Sequence, residues 1–274
     1  NLKEAIFSAQ DAIIDFDQSL KDLQAISGAT GAKFEEMEKQ AIQLGAKTAF
    51  SAKEAAAGME NLASAGFTAD EIMSAIPGTL DLAAVSGGDV AASAESMASS
   101  LRAFGLDASQ AGHVANVFAK AAADTNAETT DMAEAMKYIA PVAHAMGLSL
   151  EETAAAIGIM ADAGIKGSQA GTTLRGALSR IAKPTKAVTK SMEELGVSFY
   201  DAQGNMIPLK DQIGQLEQAT AGLTQEERNR HLVTLYGQES LSGMLALLDA
   251  GPEKLDTMTN SFKNSSGAAQ EMAE

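Results

Sequence analysis

The sequence predicts an all-α protein of stacked helical hairpins, irregular repeats, with one small β-hairpin near residues 197–208. Three observations carry this. Alanine and methionine are abundant while aromatic residues make up 4% and Trp is absent, so the core must close by bringing helices together over small residues that also favour helix. Apolar residues recur at helical spacing in stretches cut by glycine, and each stretch opens on a capping residue. Only VSFYDAQGNMIPL (197–209) departs from that pattern: two short apolar runs flank a Gly-Asn turn, with Pro208 marking an edge or a strand end.

The first element is a helix over residues 2–26. Leu2, Ile6, Ala9, Ile13, Phe16, Leu20 and Leu23 step 4, 3, 4, 3, 4, 3, a heptad seam of about three heptads. Two readings of it stand: a self-association seam, or a helix lying on its own domain. After the loop SGATGAK (27–33) a helix runs to near Gly45, and Phe50 then precedes Ser51 and Glu54, which form a capping box.

From there one grammar recurs. Gly66-Phe67-Thr68, Gly105-Leu106-Asp107 and Gly147-Leu148-Ser149 each end a helix on glycine, add an apolar residue and cap the next helix, with Glu71, Gln110 and Glu152 answering three positions later. These glycines lie 39 and 42 residues apart, room for two helices per interval. Either the units are true repeats or the grammar is only how helices begin and end. Gly222-Leu223-Thr224 with Glu227 carries the same grammar out of period. Gly164 and Gly167 are expected to turn the chain between two helices, with Ser168 capping the second. Pro77 and Pro141 fall inside helical patterns and must kink or break them.

Lys183-Pro184 marks a boundary, followed by a basic helix to Leu195 and then the expected hairpin. Helices are expected at Lys210–Ala221, Gln225–Tyr236 and Glu239–Asp249, and a last one from near Pro252 carries Leu255, Met258, Phe262, Ser265, Ala269 and Met272 at heptad spacing. The expected organisation is a heptad helix (1–26), a helical-hairpin core (27–182), a helical subdomain with the β-hairpin (183–250) and a C-terminal helix (251–274). The chain opens at Asn1 and its last residues still read as helix, so it is expected to be a segment of a longer protein, its last helix continuing into the parent chain.

Composition excludes several chemistries. Asp and Glu outnumber Lys and Arg by 36 to 20, a formal charge of −16, which repels phosphates and argues against nucleic-acid binding. Cysteine is absent, which removes disulfides and thiol catalysis. No apolar run reaches the roughly 18 residues of a membrane span, and no signal peptide is visible.

The only histidines, His113, His144 and His231, share no metal-ligand spacing. Gly164-Ile165-Lys166-Gly167 matches a nucleic-acid-clamping GxxG in letters but lacks flanking strands. The adjacent acids Glu151-Glu152 and Glu226-Glu227 point about 100° apart on a helix and suit its first turn. There is no GxSxG elbow. Neither a catalytic constellation nor a cofactor or metal site is expected.

Four stretches in one order, TAFSAKEAAAGMENLASAGFTADEI (48–72), AFGLDASQAGHVANVFAKAAADTNA (103–127), YIAPVAHAMGLSLEETAAAIGIMADAGIKGSQAGTTLRGALSRIAKPT (138–185) and LVTLYGQESLSGMLALL (232–248), resemble the shared helical core of phage tail tape measure proteins. The resemblance covers most of the chain. It implies a structural, non-enzymatic virion protein that sets tail length and occupies the tail tube until genome ejection, after assembly in the host cytoplasm. Its implied partners are further copies of itself and the tail-tube, baseplate and tail-assembly chaperone proteins. Because glycine and proline break it every 15–20 residues, this segment is expected to be a globular module beside the extended ruler. Self-association is expected through Ile6, Ile13, Phe16, Leu20, Leu23, Leu255, Met258 and Phe262. The other reading from the residues is a helical-repeat module that docks a partner peptide.

Overall fold

The computed structural model describes residues 1–274. It holds fifteen α-helices and one 3-10 turn, with no strand. The all-α class follows. The chain divides into two compact units, one of Asn1–Arg102, Leu106–Ala115 and Ala269–Glu274, the other of Ala103–Gly105 and Asn116–Ala268. The sequence boundary at Lys183-Pro184 falls inside the second.

In the first unit, α1 (Leu2–Ser27) packs on α3 (Ala52–Ser64), and α2 (Gly31–Lys47) packs on α3 and α4 (Ala69–Val85). Leu23, Met37, Met59, Leu62, Ile72 and Ile76 are fully buried there. Ser51 caps α3 by accepting the Glu54 N–H at 3.1 Å. Thr68 and Glu71 exchange bonds in a complete capping box at the start of α4, which satisfies backbone donors that would otherwise be orphaned. Pro77 lies within α4, which runs on through it unbroken. α5 (Val90–Ala103) and the 3-10 turn Ala108–Gln110 follow.

The second unit is arranged around α8 (Leu150–Asp162), where every residue from Thr153 to Ala161 is buried. A helix apolar on all sides belongs at the centre. It is surrounded by α7 (Thr129–Ala145), α9 (Ser168–Ala182), α13 (Leu241–Ala250) and α14 (Pro252–Lys263). α7 also runs unbroken through its proline, Pro141. α9 lies so close to α7 that a Cβ on Gly171 would overlap the Ala135 carbonyl. α10 (Lys186–Leu195), α11 (Leu209–Thr220), α12 (Gln225–Tyr236) and, from Asn116 on, α6 (Ala111–Asp124) complete this unit, whereas the short α15 (Ala268–Ala273) belongs from Ala269 on to the first.

The recurring glycine grammar is a helix-ending motif. The N–H of Phe67, Leu106, Leu148 and Ile165 reaches back to the carbonyl of Leu62, Leu101, Ala143 and Met160 at 3.1, 2.7, 2.9 and 2.9 Å. Gly66, Gly105, Gly147 and Gly164 take φ of 88°, 62°, 83° and 86°, the left-handed conformation this six-to-one closure needs. Gly222 does not share it; there only the cap survives, Thr224 boxed with Glu227. Ser168 is not a cap either. Gly167 (φ 58°) holds that position with no side chain to offer, and Ser168 is the first helical residue.

The expected β-hairpin is absent. Tyr200 and Met206 form one isolated antiparallel bridge. Three local features stop it growing. Asp201 accepts the N–H groups of Gln203 and Asn205, both at 2.9 Å, Ser198 gives its N–H to the Gln215 side chain, and Pro208 has none to give. Val197 and Phe199 are drawn into the core. The expected single C-terminal helix is also corrected: α14 ends at Lys263, and Gly267 (φ 84°) separates it from α15.

Candidate interaction surfaces

α1 holds the most exposed apolar side chains. All residues from Asn1 to Asp15 are exposed, including Leu2 (77%), Ile6 (50%), Phe7 (64%), Ile13 (62%) and Ile14 (63%). Farther along, Phe16 is half-buried, and Leu20 and Leu23 are buried where α1 meets α3. Lys53 on α3 bonds Asp15 at 3.2 Å at the edge of that contact. One heptad seam therefore has two environments. Its C-terminal half is used inside the chain, and its N-terminal half continues the same line with nothing against it.

The seam expected in the last helix has another fate. Leu255 and Phe262 are buried, as is Met258, in a helix packed on α8, α11 and α13. That apolar face is spent on the second unit's own core, so these three residues are not available to another copy. Sequence spacing did not reveal Phe7 and Ile14. Each follows a seam residue, Ile6 or Ile13, and so lies off the heptad line; the signal was a pair of large apolar residues seven apart.

Two polar clusters resemble chemistry without supplying it. Ser191 Oγ lies 2.6 Å from His231 Nδ1, and Glu194 Oε2 lies 3.9 Å from His231 Nε2. Serine, histidine and carboxylate are thus in series, but Ser191 and His231 are buried, at 5% and 7% exposure. The pair ties α10 to α12. A second cluster surrounds a cavity of about 640 Å³ beside α9, lined by Tyr138, Thr172, Arg180, Tyr236 and Glu239 among others. The Tyr236 hydroxyl is buried without a partner, and burial raises its pKa. No group of three His, Cys, Asp or Glu side chains is placed to hold a metal. His144 sits near the Gly105 turn, and His113 lies on α6.

The turn and cap residues Gly66, Thr68, Gly105, Asp107, Gly147, Ser149, Gly164 and Gly167 all occupy helix junctions. Asp107 caps the 3-10 turn by accepting the Ser109 N–H at 2.9 Å, and Ser149 caps α8 through the Glu152 N–H at 3.1 Å.

A model of the phage-related minor tail protein family matches residues 38–237, from α2 through the end of α12. The chain belongs to this family. Among the minor tail proteins and their relatives, a tape measure protein of Pneumococcus phage Dp-1 is 80% identical over 260 residues, covering 95% of this chain and 23% of that protein. A probable tape measure protein of Escherichia phage P2 is 36% identical over 265 residues, 94% of this chain and 32% of that protein. The chain thus spans between a fifth and a third of the length of these relatives. No solved structure matches it. The minor-tail match begins within α2 and leaves the whole of α1 outside its bounds, whereas the Dp-1 likeness extends over nearly the whole chain.

Proposed function

We propose that this chain is the folded module of a tape measure protein, a non-enzymatic part of a virion protein that sets tail length and occupies the tube lumen until genome ejection. The observation that carries the reading is the likeness to two tape measure proteins along 94–95% of the chain. The fold adds a physical division of labour. A continuous helix rises about 1.5 Å per residue and can encode length. Here α1 is the longest helix at 26 residues, and the others run to 17 or fewer, folded back on one another. Such a body cannot be the ruler; it is a compact part attached to one. Its copies meet through the free half of α1, led by Ile6 and Ile13, and its other partners are the tail-tube, baseplate and tail-assembly chaperone proteins. The acidic surface suits a lumen shared with DNA that must slide past.

Electron microscopy of tails tests the division. Insertion of several residues into the exposed Asp201–Asn205 turn of the parent gene is expected to leave tail length unchanged. A tail longer by about 1.5 Å per inserted residue would show that this segment is itself part of the ruler.

A further inference from the structure

One stretch of the chain has the wrong sign for the molecule that carries it. Between residues 163 and 192 lie Lys166, Arg175, Arg180, Lys183, Lys186 and Lys190 and not one carboxylate. The net charge is −16, so the remainder of the chain carries −22. All six cations are exposed. Only Lys190 has a carboxylate within ion-pair reach, Glu194 at 3.9 Å. Arg180 spends one guanidinium N–H on the Thr234 carbonyl at 2.9 Å, and that bond fixes where its remaining charge is held.

The fold brings α9 and α10, which carry four of these charges, onto one neighbour. α9 and α10 both pack on α12, through Arg180 to Thr234 and through Ser191 to His231, and Lys183 lies in the short link between them. Helix stabilisation accounts for some of these charges, since Arg180 lies in the last turn of α9 and Lys183 at its C-terminal cap, but not for all of them. Thr185 caps α10 and Lys186 follows at its first helical position, where the positive end of the dipole disfavours a cation. Lys190 lies one turn on. Exposed cations, all but Lys190 without a carboxylate in ion-pair reach, form a surface complementary to an acidic one.

We infer that this strip docks an acidic protein surface, and that its nearest complement is a second copy of this chain. The remainder of the chain is acidic in sum, and on the N-terminal part of α1 acids outnumber bases, with Glu4, Asp11 and Asp17 all exposed. Strip against acidic face is a heterologous contact: each copy keeps one unused strip or face, so copies add head to tail. DNA fits less well. The remaining −22 repels phosphates outside the strip, and no aromatic residue lies between 163 and 192 for base stacking.

The contact is electrostatic, so it separates from the apolar α1 seam by its response to salt, which screens exposed charges beyond a Debye length of about 8–10 Å near physiological ionic strength. The test is sedimentation of the whole chain with the seam disabled by Ile6→Asp plus Ile13→Asp. Residual association is expected, weakened on the order of tenfold or more by high salt and abolished by Lys183→Glu, Lys186→Glu and Lys190→Glu. The milder triple change to Gln is expected to fall between, and melts of each variant report folding. Association indifferent to these substitutions, or none once the seam is disabled, overturns the inference and leaves the α1 contact untouched. Salt-sensitive binding of a short DNA duplex that is lost in the triple Glu variant overturns it too, by assigning the strip to nucleic acid.

Discussion

The Glu152 carboxylate accepts the backbone N–H of Leu209. Glu152 stands in the first turn of α8, and Leu209 is the first residue of α11, whose cap position is held by Pro208 with no side chain able to bond. One acid thus serves two helices 57 residues apart: its N–H is capped by Ser149 while its carboxylate caps a distant neighbour. Burial raises its pKa, opposed by the Leu209 N–H. The folded state therefore holds this proton more tightly than the unfolded chain does. The contribution to stability is fully present below the unfolded pKa and declines as pH rises from there through the raised folded value.

Two substitutions separate the bond from the charge. Glu152→Gln keeps an acceptor for Leu209 and removes the buried charge, so its stability is expected to match the parent in acid, exceed it at neutral pH and lack this pH dependence. Glu152→Ala leaves a partly buried N–H unpaired and is expected to cost about 1–3 kcal/mol. Urea titrations at acid and neutral pH measure both. A Gln variant less stable than the parent at neutral pH would mean the ionised carboxylate is favoured in place.

Gly147→Val is expected to destabilise the second unit. Gly147 adopts φ 83°, its N–H bonds the His144 carbonyl at 3.0 Å, and Leu148 closes the turn on Ala143. An L-residue at a left-handed angle costs roughly 1–2 kcal/mol, and a β-branched one more. No neighbouring atom lies within 4 Å of a Cβ built there, so the effect is conformational. Circular dichroism melts check it; an unchanged melting temperature would show that the turn relaxes into another conformation.

Ser191 is expected to be inert toward serine-directed fluorophosphonates. It is buried, and its 2.6 Å bond to His231 joins α10 to α12. Ser191→Ala is expected to cost about 1–3 kcal/mol by stranding the imidazole nitrogen. Labelling of the native protein at Ser191 would reopen the question of catalysis.

Helix existence and helix ends were legible because they are local. Capping residues and left-handed glycines act within a few positions, so Ser51, Thr68, Ser149 and Gly147 announced themselves in sequence. The hairpin was misread because alternation in Val197–Tyr200 reflects burial of Val197 and Phe199 by helices, while Asp201 and Gln215 take donors a ladder would need. The two heptad seams looked alike in sequence, and they differ in what packs on them: Leu255 and Phe262 are buried in a helix packed on α8, α11 and α13, and Ile6 and Ile13 are exposed. Periodicity states that a face must be buried and is silent on the partner. The Glu152–Leu209 bond is tertiary and had no sequence signal beyond a cap position that Pro208 cannot serve.

The central claim is that the free half of α1 joins copies of this module. Leu2, Ile6 and Ile13 would each gain about 1.5–3 kcal/mol on full burial. Because Ile6 and Ile13 are exposed, Ile6→Asp plus Ile13→Asp removes the seam without touching the core. Sedimentation equilibrium over rising concentration, at a salt level high enough to screen surface charge, measures it directly. The expected result is a parent chain whose mass grows with concentration, and a double variant that stays monomeric with an unchanged melting temperature. A parent chain monomeric up to near millimolar concentration would contradict the account.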